Sequence, residues 1–255
     1  FQRLINQGII LAEDGRKMSK RWDNVIDPDD VIDEYGADAF RCYEMFMGPL
    51  QQMKPWSMRG VEGISRFLAR VWRLLMEENQ AGEWNLSARL QDVAPNKSQL
   101  KLVHATIKKV TEDIESLSFN TAISQMMVLV NGFTNVEKIP VSAMRTLLVL
   151  LNPFAPHLTS ELWETMSVKF PIDPVDVTEQ TWPDYDKMLL IEDEAEIVVQ
   201  INGKMRARVK VATNASDETC KTAALSLPKI AGLIAGKEIR KVVIVPNKLV
   251  NIVAN

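Results

Sequence analysis

The feature that most constrains the fold is a helical spacing of apolar residues, which persists through most of residues 51–190. Apolar side chains recur three or four positions apart in two long stretches: Ile64, Phe67, Leu68, Val71, Trp72 and Leu75, then Leu100, Val103, Ile107, Val110, Ile114 and Leu117. Further helices are predicted over 119–133, 141–154 and 157–166. Because amphipathic helices with short connections bury their apolar faces against one another, residues 51–190 are predicted to form a helical bundle.

The apolar spacing changes to strand-like alternation in residues 191–255. Asn202-Gly203 is a strong signal for a tight β-hairpin turn, and alternating residues flank it on both sides. The predicted order is two strands, one helix and two strands, over 197–201, 205–211, 216–236, 239–246 and 249–253. The predicted fold class is therefore mainly α, a helical bundle followed by a small α+β (ββαββ) domain.

A third segment precedes the bundle and begins with a short apolar stretch and a polar loop. Asp27 and Pro28 predict the start of a helix, since Asp can cap it and Pro suits its first position. Gly36 predicts the end of that helix, and a second helix is expected over 37–47. We therefore divide the chain into segments 1–50, 51–190 and 191–255.

Composition excludes several classes of protein. Apolar residues make up 46% and charged residues 25% of the 255 residues, which is typical of globular chains and not of disordered ones. No apolar stretch approaches the ~18–20 residues of a membrane helix, so no membrane partner is expected. The two distant cysteines favour a reducing, cytoplasmic location, and two histidines give no ligand spacing for a metal site.

The loop Gly15-Arg16-Lys17-Met18-Ser19-Lys20-Arg21 is the first candidate functional segment. Two lysines three positions apart behind a glycine form a cationic loop that can close over phosphate oxygens. Taken alone, a lysine-rich loop is more often a solvated surface turn.

The residues that follow this loop favour the functional interpretation. Asn24, Pro28, Tyr35-Gly36-Ala37-Asp38 and Arg41 come next, and with Lys-Met-Ser-Lys they resemble the second signature of class I aminoacyl-tRNA synthetases. The resemblance implies that Lys17, Met18, Ser19, Lys20 and Arg21 bind the phosphates of ATP. In that site Lys20 would be the catalytic lysine, Lys17 would assist and Met18 would pack the loop down. Arg21 stands where the family usually has a serine.

Later motifs resemble the leucyl-tRNA synthetase (LeuRS) branch of this class. They include Met45-Phe46-Met47-Gly48-Pro49-Leu50, Pro153-Phe154-Ala155-Pro156-His157, Val199-Gln200-Ile201-Asn202-Gly203-Lys204 and Val245-Pro246-Asn247-Lys248-Leu249. The resemblance implies a bundle of the anticodon-binding type and a tail domain that both bind tRNA(Leu). It also implies ATP-dependent activation of leucine, with Mg²⁺ accompanying ATP, and transfer of leucine to tRNA by a monomeric enzyme.

The same resemblance implies that this chain alone is inactive and binds no cofactor by itself. The family's histidine-containing first signature and its editing domain are absent from these 255 residues. Two alternatives remain open: a non-catalytic RNA-binding protein derived from a synthetase, and another class I synthetase (isoleucyl, valyl or methionyl).

Two groups of cations are candidates for binding the RNA backbone. Arg66, Arg70 and Arg73 share one side of a predicted helix, although a solvated helix face would look the same. Lys204, Arg206, Arg208 and Lys210 alternate along a predicted strand, so all four are expected to point away from Met205 and its inward neighbours. Residues 197–255 carry ten basic and three acidic side chains, or +7, against −3 for the whole chain. Protection of an edge strand is the alternative explanation.

Two further residues are expected to be structural. Cys42 lies in a predicted helix and reads as a small buried hydrophobic residue rather than a nucleophile. His157 follows Pro156 and is expected to start or pack a helix rather than act as a base.

Overall fold

The computed structural model describes residues 2, 4–171, 176–191 and 194–255, and it divides into two compact units, 1–190 and 191–255. The division falls where the apolar spacing changes. No helix among the described residues is long and apolar enough to cross a membrane.

The first unit is predominantly helical, as its apolar spacing predicts. Its described helices are α1 (Pro28–Tyr35), α2 (Ala37–Phe46), α3 (Met58–Leu75), α4 (Lys97–Glu115), α5 (Phe119–Phe133), α6 (Val141–Leu151) and α7 (Pro156–Lys169). Three pairs of short strands connect them: β1 (Ile10–Leu11) with β2 (Lys54–Pro55), β3 (Met76–Glu78) with β4 (Trp84–Leu86), and β5 (Leu90–Gln91) with β6 (Ile139–Pro140).

The start of α1 confirms the prediction from Asp27 and Pro28. The Asp27 side chain accepts a hydrogen bond from the backbone N–H of Asp29, and Pro28 is the first helical residue. Gly36 follows the helix with φ of 88°, a conformation that favours glycine, so the chain turns there into α2.

One hydrophobic core joins the first fifty residues to the helices that follow. Val31, Ala39 and Tyr43 from α1 and α2 belong to the same buried cluster as Phe67 of α3 and Trp163 of α7. The loop at the start of the chain is therefore attached to a helical body and has no separate core of its own among the described residues.

The second unit is a four-stranded sheet with two helices. Its elements are β7 (Glu194–Ile201), β8 (Lys204–Ala212), α8 (Asp217–Leu225), α9 (Pro228–Ile234), β9 (Ile239–Val245) and β10 (Leu249–Ala254). The strand order is β8-β7-β10-β9, and β10 runs parallel to β7. The single helix predicted over 216–236 is wrong, because Pro228 cannot continue a helix and instead begins a second one.

Candidate functional site

The lysine-containing loop begins as a tight turn. Gly15 has φ of 77°, the backbone N–H of Ala12 donates to the carbonyl of Arg16 at 2.8 Å, and Leu11 forms a bridge with Lys17. The turn therefore places the backbone of Lys17 beside the short strand β1, and the rest of the loop follows from there.

Asn24 joins the two ends of this loop. Its Oδ1 accepts a hydrogen bond from the backbone N–H of Ser19 at 2.9 Å, and its Nδ2 donates to the carboxylate of Asp14 at 3.4 Å and to the carbonyl of Lys17 at 3.5 Å. The backbone and side-chain hydrogen bonds of Arg16 hold the pKa of Asp14 below its ordinary value. Asp14 thus remains an anionic acceptor while Asn24 fixes the shape of the loop.

The predicted phosphate-binding residues occupy different environments in this loop. Met18 is half-buried against the core, and the hydroxyl of Ser19 accepts a hydrogen bond from the backbone N–H of Arg21 at 3.2 Å, which starts a short 3₁₀ helix. Lys17 and Lys20 are exposed, and neither forms an ion pair or hydrogen bond through its side chain with the described residues. Their ammonium groups are therefore available to an anion.

Arg21 contacts Trp22, which no sequence motif had indicated as part of the site. The guanidinium of Arg21 lies 5.2 Å from the ring centroid of Trp22, and that of Arg16 lies 4.8 Å from it. Arg16 also forms an ion pair with Asp14 at 2.6 Å. Arg21 therefore packs on an aromatic ring, a contact that the serine usual at this position could not make. The sequence signal that could have indicated this contact is the presence of two arginines, Arg16 and Arg21, shortly before Trp22.

α3 carries four arginines, all exposed, and the three predicted ones, Arg66, Arg70 and Arg73, lie opposite the buried Phe67 and Val71. Arg66 forms an ion pair with Glu62 at 2.7 Å. Arg70 and Arg73 are exposed and have no ion pair among the described residues. The structure brings these arginines together on one face, with two of their charges unpaired.

The prediction that four cations of β8 share one face is wrong. Between the pairs Val199–Ala207 and Gln200–Met205 the register shifts, so Arg206 is an extra residue in β8. Beyond this β-bulge Lys204 lies opposite the buried Ile201, whereas Met205 lies opposite Gln200 and is 59% exposed. The bulge therefore reverses the faces of Lys204 and Met205, because a one-residue shift exchanges the two sides of a strand.

Arg208 and Lys210 remain on the outer face of the sheet. They lie opposite Val198 and Glu196, and Arg208 forms an exposed ion pair with Glu196 at 3.0 Å. β8 is an edge strand of its sheet, so its cations could also serve to protect that edge from pairing with another chain. Of the four predicted cations, only Arg208 and Lys210 lie in the regularly paired part of β8 and point to the same face of the sheet.

Comparison with known proteins gives two family matches and, among solved structures, a match to a LeuRS. Residues 96–221 match the anticodon-binding domain of tRNA ligase, and residues 1–54 match the class I tRNA synthetases (I, L, M and V). The fold matches the LeuRS of Agrobacterium radiobacter K84 (agnB2), solved as a ternary complex with tRNA and LeuAMS, with a TM-score of 0.74 and 28% sequence identity. The match covers 98% of this chain and 33% of that one, so this chain spans about a third of its length. These matches confirm the resemblance found in the sequence motifs.

Proposed function

We propose that this chain, which matches the class I tRNA synthetases over residues 1–54 and the anticodon-binding domain of tRNA ligase over residues 96–221, supplies the ATP-phosphate loop and the tRNA-binding surfaces of a leucyl-tRNA synthetase. The complete enzyme would activate leucine with ATP and ligate it to tRNA(Leu), as a cytoplasmic monomer. The 255 residues alone would bind tRNA and remain inactive in leucine activation, because the residues that the structure describes form no nucleotide-binding fold.

The observation that carries this proposal is the pair of unpaired lysines on a fixed loop. Lys17 and Lys20 are exposed at either end of the Met18–Ser19 dipeptide, while hydrogen bonds to Asn24 hold the backbone between them. Preorganised cations of this kind stabilise the negative charge that develops on phosphate oxygens during displacement. Lys20 is the residue we expect to act on the transferring phosphates, with Mg²⁺ bound to ATP sharing that charge.

The remaining residues of the loop have supporting roles. Met18 attaches the loop to the helical core, and Ser19 caps the short helix that carries Lys20 and Arg21. The Arg21 guanidinium already contacts the ring of Trp22, and any movement away from that ring towards a phosphate would lose this cation–π contact. We therefore assign Arg21 a weaker part in ATP binding than the two lysines.

The proposal for tRNA rests on charge and on the structural match. The matched LeuRS is solved with tRNA, and Arg70 and Arg73 here form an unpaired cationic face on α3. Arg208 and Lys210 provide a second cationic face in the tail. The planar guanidinium of arginine can donate two hydrogen bonds to one phosphate group of the RNA backbone.

A pair of experiments tests the proposed function. In the complete enzyme, Lys20→Ala should slow leucine-dependent ATP–pyrophosphate exchange by roughly 10²–10³-fold, because one preorganised charge is lost. Lys138→Ala, which removes an exposed lysine from the bundle, is the matched control and should leave exchange unchanged. Near-normal exchange by the Lys20 variant would contradict the assignment of the loop.

The second measurement uses the 255-residue chain and labelled tRNA(Leu). Fluorescence anisotropy should show salt-dependent binding, and pyrophosphate exchange should be undetectable. If the chain binds tRNA normally while the complete enzyme tolerates Lys20→Ala, the protein is better described as an RNA-binding relative of the synthetases. Measurable exchange by the chain alone would contradict the proposal that catalysis needs another part of the enzyme.

A further inference from the structure

The first unit contains a cavity that neither the ATP loop nor the cationic faces account for. It has a volume of about 480 Å³ and lies where α2, α4 and α5 approach the α6–α7 connection and the segment around Trp182. Its walls are mainly apolar, and their larger side chains are Met45, Ile114, Phe119, Phe154 and Trp182. This volume falls within the range of ligand pockets, which are typically apolar with a few placed polar groups.

The aromatic walls of this cavity are held in place. The indole Nε1–H of Trp182 donates to the hydroxyl of Thr111 at 2.9 Å, and the rings of Phe119 and Phe154 pack edge to face with centroids 6.1 Å apart. The aromatic surface is therefore already ordered before a ligand binds, which reduces the entropic cost of binding.

Two carboxylates on the lining accept no hydrogen bond from the described residues. Arg41 donates to the carbonyl of Pro153 at 3.2 Å, whereas Glu44 and Glu115 form no hydrogen bond or ion pair with the described residues. Glu44 is half-buried, and this loss of solvation raises the pKa of its carboxyl group against the opposing influence of Arg41. With one guanidinium and two carboxylates, the lining has a formal charge of −1 when all three are ionised.

We propose that this cavity binds a small organic ammonium ion that carries an apolar body. The electron-rich faces of Phe119, Phe154 and Trp182 attract a cation, and Glu44 and Glu115 are free to accept its N–H groups. A neutral ligand without a donor group would leave the partly desolvated Glu44 carboxylate without a hydrogen-bond donor, which is unfavourable. An anionic ligand would be repelled, because the lining carries two carboxylates and only one arginine.

The test uses the 255-residue chain labelled with 5-fluorotryptophan. All six tryptophans lie in the first unit, and the Trp182→Phe variant identifies the fluorine NMR signal of Trp182. The probes are 2-phenylethylamine and its neutral counterpart, 2-phenylethanol. We expect the amine to shift the Trp182 signal with a Kd of about 1 mM, and the alcohol to bind about tenfold more weakly.

Substitutions in the cavity then separate charge recognition from simple apolar burial. Glu44→Gln and Glu115→Gln should each weaken amine binding by about 5- to 10-fold and leave the alcohol unaffected. Glu112→Gln is the matched control, since Glu112 is exposed on the same helix and does not line the cavity. Equal affinities for amine and alcohol, or amine binding that survives both substitutions, would overturn the proposal. So would the absence of any shift of the Trp182 signal, and the other five signals report whether each variant is folded.

Discussion

The carboxylate of Asp38 caps the amino terminus of α7 through His157, a residue 119 positions further along the chain. Its Oδ1 lies 2.8 Å from the His157 ring Nδ1 and accepts from the backbone N–H at 3.3 Å, and its Oδ2 accepts from the N–H of Leu158 at 2.7 Å. The residue at the capping position of α7 itself, Ala155, has no side-chain acceptor. The Tyr-Gly-Ala-Asp motif behind the loop therefore serves to join α2 to the bundle.

Loss of this cap should destabilise the first unit. Asp38→Ala leaves the N–H groups of His157 and Leu158 without their acceptor, so we expect a loss of about 1–3 kcal/mol in the free energy of unfolding. Tryptophan fluorescence during urea unfolding measures the first unit alone, because it holds every tryptophan of the chain. Asp33→Ala, on the exposed side of α1, is the control, and equal stabilities of the two variants would contradict the capping role.

Asn24 should affect activation without contacting ATP. Asn24→Ala removes the hydrogen bonds that link Ser19 to Lys17, so the two lysines lose their fixed spacing. We expect about a tenfold slower pyrophosphate exchange in the complete enzyme, with most of the loss in kcat, because misplacement of catalytic groups acts on the transition state. Arg21→Ser should change the rate less than Asn24→Ala does, since the Arg21 guanidinium lies on Trp22. A larger effect of Arg21→Ser would reverse this ranking of the loop residues.

Cys42 should be unreactive in the folded chain. Burial, with a smaller contribution from the charge of Asp38, raises the pKa of its thiol to about 12. At about pH 8 its thiolate fraction is then on the order of 10⁻⁴, so we expect no reaction with a disulfide reagent until urea is added. Because the folded chain holds this proton more tightly than the unfolded chain, its stability should fall as the pH rises from about 9 towards 12. Rapid labelling of native Cys42 would contradict its buried position.

Local sequence signals predict much of this fold. Asp27 and Pro28 start α1 as expected, and Asn202 and Gly203 form the hairpin turn with φ of 50° and 77°. These signals succeed because capping and turn formation depend on neighbouring residues alone.

Features that depend on distant partners could not be predicted in the same way. The bond between Asp38 and His157 needs the folded arrangement of α2 and α7, and neither residue's neighbours indicate it. The bulge at Arg206 depends on how β8 pairs with β7, so the alternation of residues 204–211 predicted the wrong face for Lys204. The lysine-containing loop shows both cases, since its lysines were predicted from the sequence and its contacts with Asp14 and Trp22 were not.

The bulge in β8 leads to a prediction that distinguishes RNA binding from edge protection. Lys210 lies on the outer face of the sheet and Lys204 on the opposite one, and both are exposed. If the outer face contacts tRNA phosphates, Lys210→Gln should lower the slope of log K against log salt by roughly 0.7–0.9, and Lys204→Gln should change it much less. If the cations only protect the edge, both variants should bind tRNA(Leu) normally, and both should aggregate faster because each removes a charge from an exposed edge strand. Anisotropy across a salt series and light scattering over time, measured on the same preparations, decide between the two. Equal losses of slope for the two lysines would contradict the assignment of faces from the register.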